Sequence, residues 1–263
     1  MPIVAGCGRL GFGTERSTDA ATPPDAGELA FGAGCAVGLA MDEPRWTGAA
    51  GEVVNRCATG TTISTVGPGT AVAGASLVDD PVRGRVGDLP LPSGCVQIAN
   101  AAGLHATTGL TLSAWIYPQS LDGTNPYGVI AKRTDFTMDD AEYTMFVWTD
   151  NTVWVDIDSR NDRAHGVKQV VNGAWQQLTA VYDGTLPAAK RVTLYVDGEL
   201  DAVLPETSPR LTAYPSPLSV GCLPELPATK PQIALGGRID DVGVWTRAFT
   251  AQEVAAWYQA TRH

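Results

Sequence analysis

Across 263 residues, 18 Lys and Arg stand against 28 Asp and Glu, and the formal net charge of −10 argues against a nucleic-acid partner, which needs a basic footprint. Hydrophobic residues are 44% of the chain and charged ones 17%, enough apolar content to build a core and too much for a disordered chain. The 29 Gly and 18 Pro punctuate short apolar runs, none of them reaching the roughly 18 residues of a membrane span, so the composition favours β structure and excludes a transmembrane helix.

The chain opens with Val4-Ala5-Gly6-Cys7, which has the form of a bacterial lipobox, small residues before a cysteine that becomes lipidated. A basic region and an apolar stretch normally come first. The expectation is therefore a late start, with lipidation at Cys7 and membrane contact only through that anchor. Residues 8 to 34 are rich in Thr, Ser, Asp, Ala, Gly and Pro with no apolar period, and read as a flexible tether. The division expected is 1–34 for truncated signal and tether and 35–263 for one globular domain, in an exported protein of the bacterial envelope or surface.

Setting Cys7 aside leaves Cys35, Cys57, Cys95 and Cys222. No Cys-x-x-Cys occurs and His105, His165 and His263 are scattered, which argues against zinc. In an exported protein two disulfides are expected, with three connectivities open; Cys57–Cys95 with Cys35–Cys222 is preferred.

The strands follow from alternation. In the run from Leu110 to Pro118, Leu110, Leu112, Ala114 and Ile116 share one face, and Thr111, Ser113, Trp115 and Tyr117 the other. Tyr143 to Trp148 and Val153 to Asp158 form a pair across a turn at Asp150-Asn151. In the second, Val153, Val155 and Ile157 oppose Trp154, Asp156 and Asp158. Further strands are expected over Trp175–Tyr182, Val192–Val196 before an Asp197-Gly198 hairpin turn, Leu218–Gly221 and Gly237–Trp245. Strands at this spacing without intervening helices predict antiparallel sheets, an all-β sandwich or jelly roll. One short helix closes the chain: Thr250-Ala-Gln-Glu253 is a capping box, followed by Val254, Trp257 and Tyr258 on one face.

Seven fragments in order, from Gly38 to Tyr258, resemble the laminin G-like, concanavalin A-like jelly-roll family. They are Gly38–Glu43 for its opening strand, Thr111–Pro118, Val129–Lys132, Trp175–Gly184, Val192–Gly198, Gly237–Trp245 with its Ile-Asp-Asp-Val closing motif, and Phe249–Val254 at the helix start. The resemblance implies a two-sheet jelly roll. It carries less about function, because this fold hosts sugar binding, protein binding and glycan hydrolysis.

It also implies a structural Ca²⁺, held by an Asp or Asn after the first strand and an Asp of the closing motif. The matching positions are Asn55 and Asp240, with Asp42 and Glu43 as further ligands. Asn55-Arg-Cys-Ala departs from the family's Asp-x-Ser-Gly and brings no charge. No other cofactor is implied. The Glu-x-Asp-x-x-Glu triplet of the laminarinase branch is missing, which disfavours hydrolysis; Asp156 with Asp158 or Glu142 is the alternative carboxylate pair. No Gly-x-Ser-x-Gly is present, and His165 sits in a polar run with no triad about it.

The remaining chemistry is a binding face. Trp148, Trp154, Asp156, Asp158, Arg160, Asn161 and Arg163 gather around one expected hairpin, where aromatic planes stack on sugar rings and charged groups bond their hydroxyls. Trp115 and Trp175 are expected in the core. The function expected is a non-catalytic, surface-anchored module that binds a glycan or an extracellular protein. The alternatives are a carbohydrate-active enzyme of the same fold and a purely structural envelope protein.

Overall fold

The computed structural model describes residues 31–58, 64–136, 141–158, 164–224 and 233–263. Cys7, with most of the expected tether, lies outside the described residues. Strands follow one another in the order β1 (Cys35–Leu39), β2 (Gly69–Val72), β3 (Ser76–Asp80), β4 (Gly84–Leu89), β5 (Cys95–Ile98), β6 (Gly109–Pro118), β7 (Tyr127–Lys132), β8 (Tyr143–Val147) and β9 (Thr152–Ile157). Then come β10 (Ala164–Gln169), β11 (Gln176–Asp183), β12 (Val192–Val196), β13 (Glu199–Leu204), β14 (Leu218–Val220), β15 (Cys222–Leu223), β16 (Ile233–Ala234), β17 (Gly237–Trp245) and the helix α1 (Ala251–Thr261).

Two large antiparallel sheets result. The first runs β13-β12-β11-β6-β17-β4-β3, with β1 also paired to β17; the second runs β10-β9-β8-β7-β14-β5-β2. One edge of β17 is shared: its start pairs with β4 and its end with β1. The alternation read from sequence sets the inner faces. Leu110, Leu112, Ala114 and Ile116 of β6 meet Tyr143, Met145 and Val147 of β8 and Val153, Val155 and Ile157 of β9 in one core between the sheets. The Asp197-Gly198 turn joins β12 to β13, both residues having positive φ (55° and 73°), the backbone that a two-residue hairpin requires.

Helix α1 packs on the outer face of the first sheet. Its capping box is formed: the Glu253 amide donates to Thr250 Oγ1 at 3.2 Å, and the Thr250 amide to Glu253 Oε2 at 2.7 Å. Val254 lies against Val181 and Tyr195, and Trp257 against Trp245 and Phe31. Phe31 is buried, its carbonyl accepts from Trp245 Nε1, and Arg247 and Thr246 bond the carbonyls of Ala33 and Gly34. The folded unit therefore already includes residues 31–34, which the sequence reading gave to the tether.

All four cysteines expected in disulfides form them, but in another pairing: Cys35–Cys57 and Cys95–Cys222, with Cα atoms 5.8 and 5.4 Å apart. The reason is local packing. Asn55 fastens the Cys57 turn to β1, accepting from the Gly38 amide, while β14 beside β5 delivers Cys222 to Cys95. Trp115 and Trp175 also depart from expectation. Neither enters the intersheet core: Trp115 is buried on the outer face, stacked on Tyr258 of α1, and Trp175 is part-exposed.

Candidate functional site

The outer face of the second sheet carries the residues that point away from the core. Phe146 on β8, Trp154 on β9 and His165 on β10 lie side by side, in the register Phe146↔Trp154↔His165. Trp148, just past β8, and Phe136 complete an aromatic cluster. Phe136 and Phe146 are buried at its base, edge to face at 5.2 Å. Trp148 and Trp154 are part-exposed above them, their centroids 5.6 Å apart and their planes tilted by 40°. His165 stacks on Trp154 at 4.5 Å and 16°.

Trp154 is held in place. Its Nε1 donates to Thr152 Oγ1 at 3.0 Å and to Asp150 Oδ1 at 3.2 Å. Asp150 also accepts from the Thr152 amide and hydroxyl. Burial pushes the Asp150 carboxyl up, but the bonds from Thr152 and Trp154, with the His165 charge, hold it below its ordinary value. An indole fixed this way loses little freedom when a ring stacks on it.

The carboxylates expected beside Trp154 have other tasks. Asp156 does share its face but is fully buried, ion-paired to Arg133 at 2.9 Å, with the guanidinium over Phe136. Asp158 leaves the face. Its φ of 57° ends the alternation, and its carboxylate accepts from the Ser208 hydroxyl and the Thr212 amide. Glu142 is buried as well, bonded to His105 Nδ1 at 2.8 Å and to the Tyr214 amide. Asp156, Asp158 and Glu142 are thus committed to holding the fold and are not presented together to a substrate. Arg160, Asn161 and Arg163 lie outside the described residues. Sequence reasoning missed His165, Asp150 and Phe136 as neighbours of Trp154. For His165 the signal is the β9–β10 register, which no local pattern contains.

The residues that the family resemblance offers to calcium are engaged by the protein itself, apart from Asp240 Oδ1, which is buried without a hydrogen bond. Asn55 Oδ1 accepts from the Gly38 and Cys57 amides and its Nδ2 donates to the carbonyls of Ala36 and Val66, so the side chain has no lone pair or hydrogen left. Glu43 accepts from Val54 N and Trp46 Nε1, and Asp42 pairs with Arg56. Asp240 is bound at 2.7 Å by Arg83 Nε, whose Nη2 also reaches Asp241. A buried guanidinium already stands where the closing motif's charge needs compensation. Among the described residues no group of three or more His, Cys, Asp or Glu side chains is placed to hold a metal.

The architecture is that of an antiparallel two-sheet jelly roll with aromatics on an outer sheet face, a class that includes many binding domains. A family model for the concanavalin A-like lectin/glucanases superfamily matches residues 93–255, more than half of the chain, and the chain belongs to that superfamily. No curated protein matches it. Similar solved structures include domain 4 of AbnA, a GH43 extracellular arabinanase from Geobacillus stearothermophilus, in complex with arabinotriose; it is 16% identical with a TM-score of 0.53, over 74% of this chain and 89% of that one. The binding domain of Paraclostridial Mosquitocidal Protein 1 is 14% identical (TM-score 0.59, 86% of this chain and 52% of that one). A botulinum neurotoxin type C structure, whose cell entry depends on two ganglioside molecules, is 10% identical (TM-score 0.61, 86% and 51%). The chain spans about half the length of the two toxin chains. At these identities the likeness is one of fold.

Proposed function

We propose that the chain is a non-catalytic, glycan-binding module whose site is the Trp148–Trp154 pair on the outer face of the second sheet. One observation carries this reading: two tryptophans, part-exposed and tilted by 40°, sit on a sheet face above the buried rings of Phe136 and Phe146. Sugar rings stack on such planes through their C–H faces. The superfamily supports the reading, as does the arabinotriose in domain 4 of the arabinanase. The engagement of Asp156, Asp158 and Glu142 supports a binding role over hydrolysis, which needs two carboxyl groups presented together.

Two disulfides suit an oxidising compartment, and no described helix is long and apolar enough to cross a membrane. We extend the proposal to an exported module displayed at a bacterial surface through a lipid on Cys7.

A glycan array run with the full chain, with Ca²⁺ and again with EGTA, tests the reading. Glycan binding is expected, with equal signal in both buffers, and to weaken about tenfold or more in Trp148→Ala and Trp154→Ala, the loss of one good stacking contact. A clean negative on the array, or full binding by folded Trp154→Ala, would overturn it.

A further inference from the structure

A second aromatic and polar row crosses the opposite side of the molecule. On the outer face of the first sheet, Tyr117 of β6 lies opposite Arg238 of β17, Arg238 opposite Asp88 of β4, and Asp88 opposite Ser76 of β3. Trp175, one residue before β11, extends the row beyond Tyr117, its ring 5.6 Å from the tyrosine ring. All five residues are part-exposed. The sequence reading gave Trp175 to the core and made nothing of the other four.

The row is rigidly built. The tip of the β3–β4 hairpin reaches over the sheet, and there Asp80, only 6% exposed, accepts from Trp175 Nε1 at 3.2 Å and from Arg238 Nη1. The Arg238 guanidinium in turn lies over the Tyr117 ring, 5.6 Å from its centroid. Trp175, Asp80, Arg238 and Tyr117 thus close a circuit of contacts. Arg83 backs it, its guanidinium 4.4 Å from the Trp115 centroid and 5.3 Å from that of Trp175.

Lashing the hairpin to the sheet accounts for Asp80 and Arg83. It does not account for what the row leaves open. Among the described residues the Asp88 carboxylate and the Tyr117 hydroxyl make no protein hydrogen bond, and Arg238 Nε is buried without a partner. Two fixed aromatic planes beside an unused acceptor and an unused hydroxyl are groups that a hydroxylated ring engages at once: stacking on its C–H face, hydrogen bonds at its edge. Arg238 is already countered by Asp80 and lies near Asp88, and the chain as a whole carries −10, so the row has no surplus positive charge to attract an anion.

We propose that this row is a second ligand site, separate from the Trp148–Trp154 face, and that it takes a neutral saccharide. The test is a titration of the ¹⁵N-labelled full chain with arabinotriose, xylotriose, cellotriose and laminaritriose, read on the indole N–H resonances of Trp175 and Trp154. At least one trisaccharide is expected to move the Trp175 signal. Asp88→Ala and Tyr117→Phe, which removes only a hydroxyl and leaves the packing intact, are each expected to weaken that response about fivefold or more, the scale of one lost hydrogen bond, without changing the Trp154 response. The proposal falls if no trisaccharide moves the Trp175 signal at millimolar concentration, or if both variants respond as the wild type does. Movement of Trp154 alone would sink this second site and leave the first reading standing; movement of Trp175 alone would do the reverse.

Discussion

Thr261, the last residue of α1, is completely buried, and its hydroxyl accepts a hydrogen bond from Trp115 Nε1 at 2.8 Å. The same oxygen accepts from Gln177 Nε2 at 2.8 Å and donates to the Trp257 carbonyl at 2.9 Å. One threonine near the end of the chain therefore satisfies two donors on two different strands of the first sheet. Thr261→Val keeps the shape and removes the acceptor. Each buried donor left unsatisfied costs about 1–3 kcal/mol, so the variant is expected to lose about 2 kcal/mol or more in urea unfolding. A loss within measurement error would mean that the helix end is not held by this oxygen.

Arg83 joins the hairpin tip, the closing strand and the helix in the same way. It bonds Asp240, Asp241 and the Thr261 carbonyl, and its own side chain is nearly inaccessible. Arg83→Met keeps most of the volume but strands two buried carboxylates. Breaking a buried ion pair from one side costs about 3–5 kcal/mol, and a loss of that size in denaturant unfolding is expected. Since Asp240 already pairs with this guanidinium, neither excess Ca²⁺ nor EGTA is expected to move the wild-type melting temperature. A rise with Ca²⁺ would show that a metal binds the folded state, because anything that does so stabilises it by mass action.

The two carboxylates also impose a pH dependence. Burial raises Asp240 well above its ordinary value, with the Asp241 charge adding to it and Arg83 opposing. Burial likewise pushes Asp241 up to about 7, against Arg83. Both groups ionise near 3.8 when unperturbed. For an acid raised in the folded state, the folded chain binds the extra proton. The stability this gives is complete below the unfolded value and is lost as the pH climbs through the folded one. Wild-type protein is thus expected to melt at progressively lower temperature from about pH 4 to pH 8 relative to Asp241→Asn, which has one fewer proton to release. Parallel melting curves for the two proteins across that range would contradict this.

Much of the architecture could be read from local sequence because the forces that set it are local. The alternation of Leu110, Leu112, Ala114 and Ile116 placed them on the inner face, Thr250 and Glu253 formed their capping box, and Asp197-Gly198 made its turn. Trp154 emerged on the outer face because Val153, Val155 and Ile157 took the core. What stayed hidden depends on pieces distant in sequence. Trp115 alternates with Thr111, Ser113 and Tyr117, and Trp175 with Gln177 and Thr179, so both take the outer face, where they are covered, or half covered, by a helix and a hairpin tip far away in the chain. Arg83 lies 157 residues from Asp240, so nothing near the closing motif announced the guanidinium that pairs with it. Asp158 alternates with Trp154 in sequence, but a positive φ turns it toward a crossing loop.

That crossing loop supplies the last test. The chain passes from the first sheet to the second between β13 and β14, and buried charges clamp the passage. Lys132 Nζ, fully enclosed, donates to Asn100 Oδ1 and to the carbonyls of Tyr214 and Ser216, each at 2.9 Å, and lies 3.6 Å from Glu142. Burial pulls the Lys132 pKa down while the Glu142 charge opposes. The hydrogen bonds to the Tyr214 and Ser216 carbonyls tie the loop to β7. In Lys132→Met the two carbonyls lose their donor and the Glu142 carboxylate its cation, a loss of about 3–5 kcal/mol by the usual cost of a broken buried pair. The damage should be local first: amide exchange is expected to speed up at Thr212 and Tyr214 before it does in the core strands β6 and β11, because loop openings need less energy than global unfolding. Uniform acceleration across the sheets would mean that the clamp holds the whole sandwich and not this loop alone.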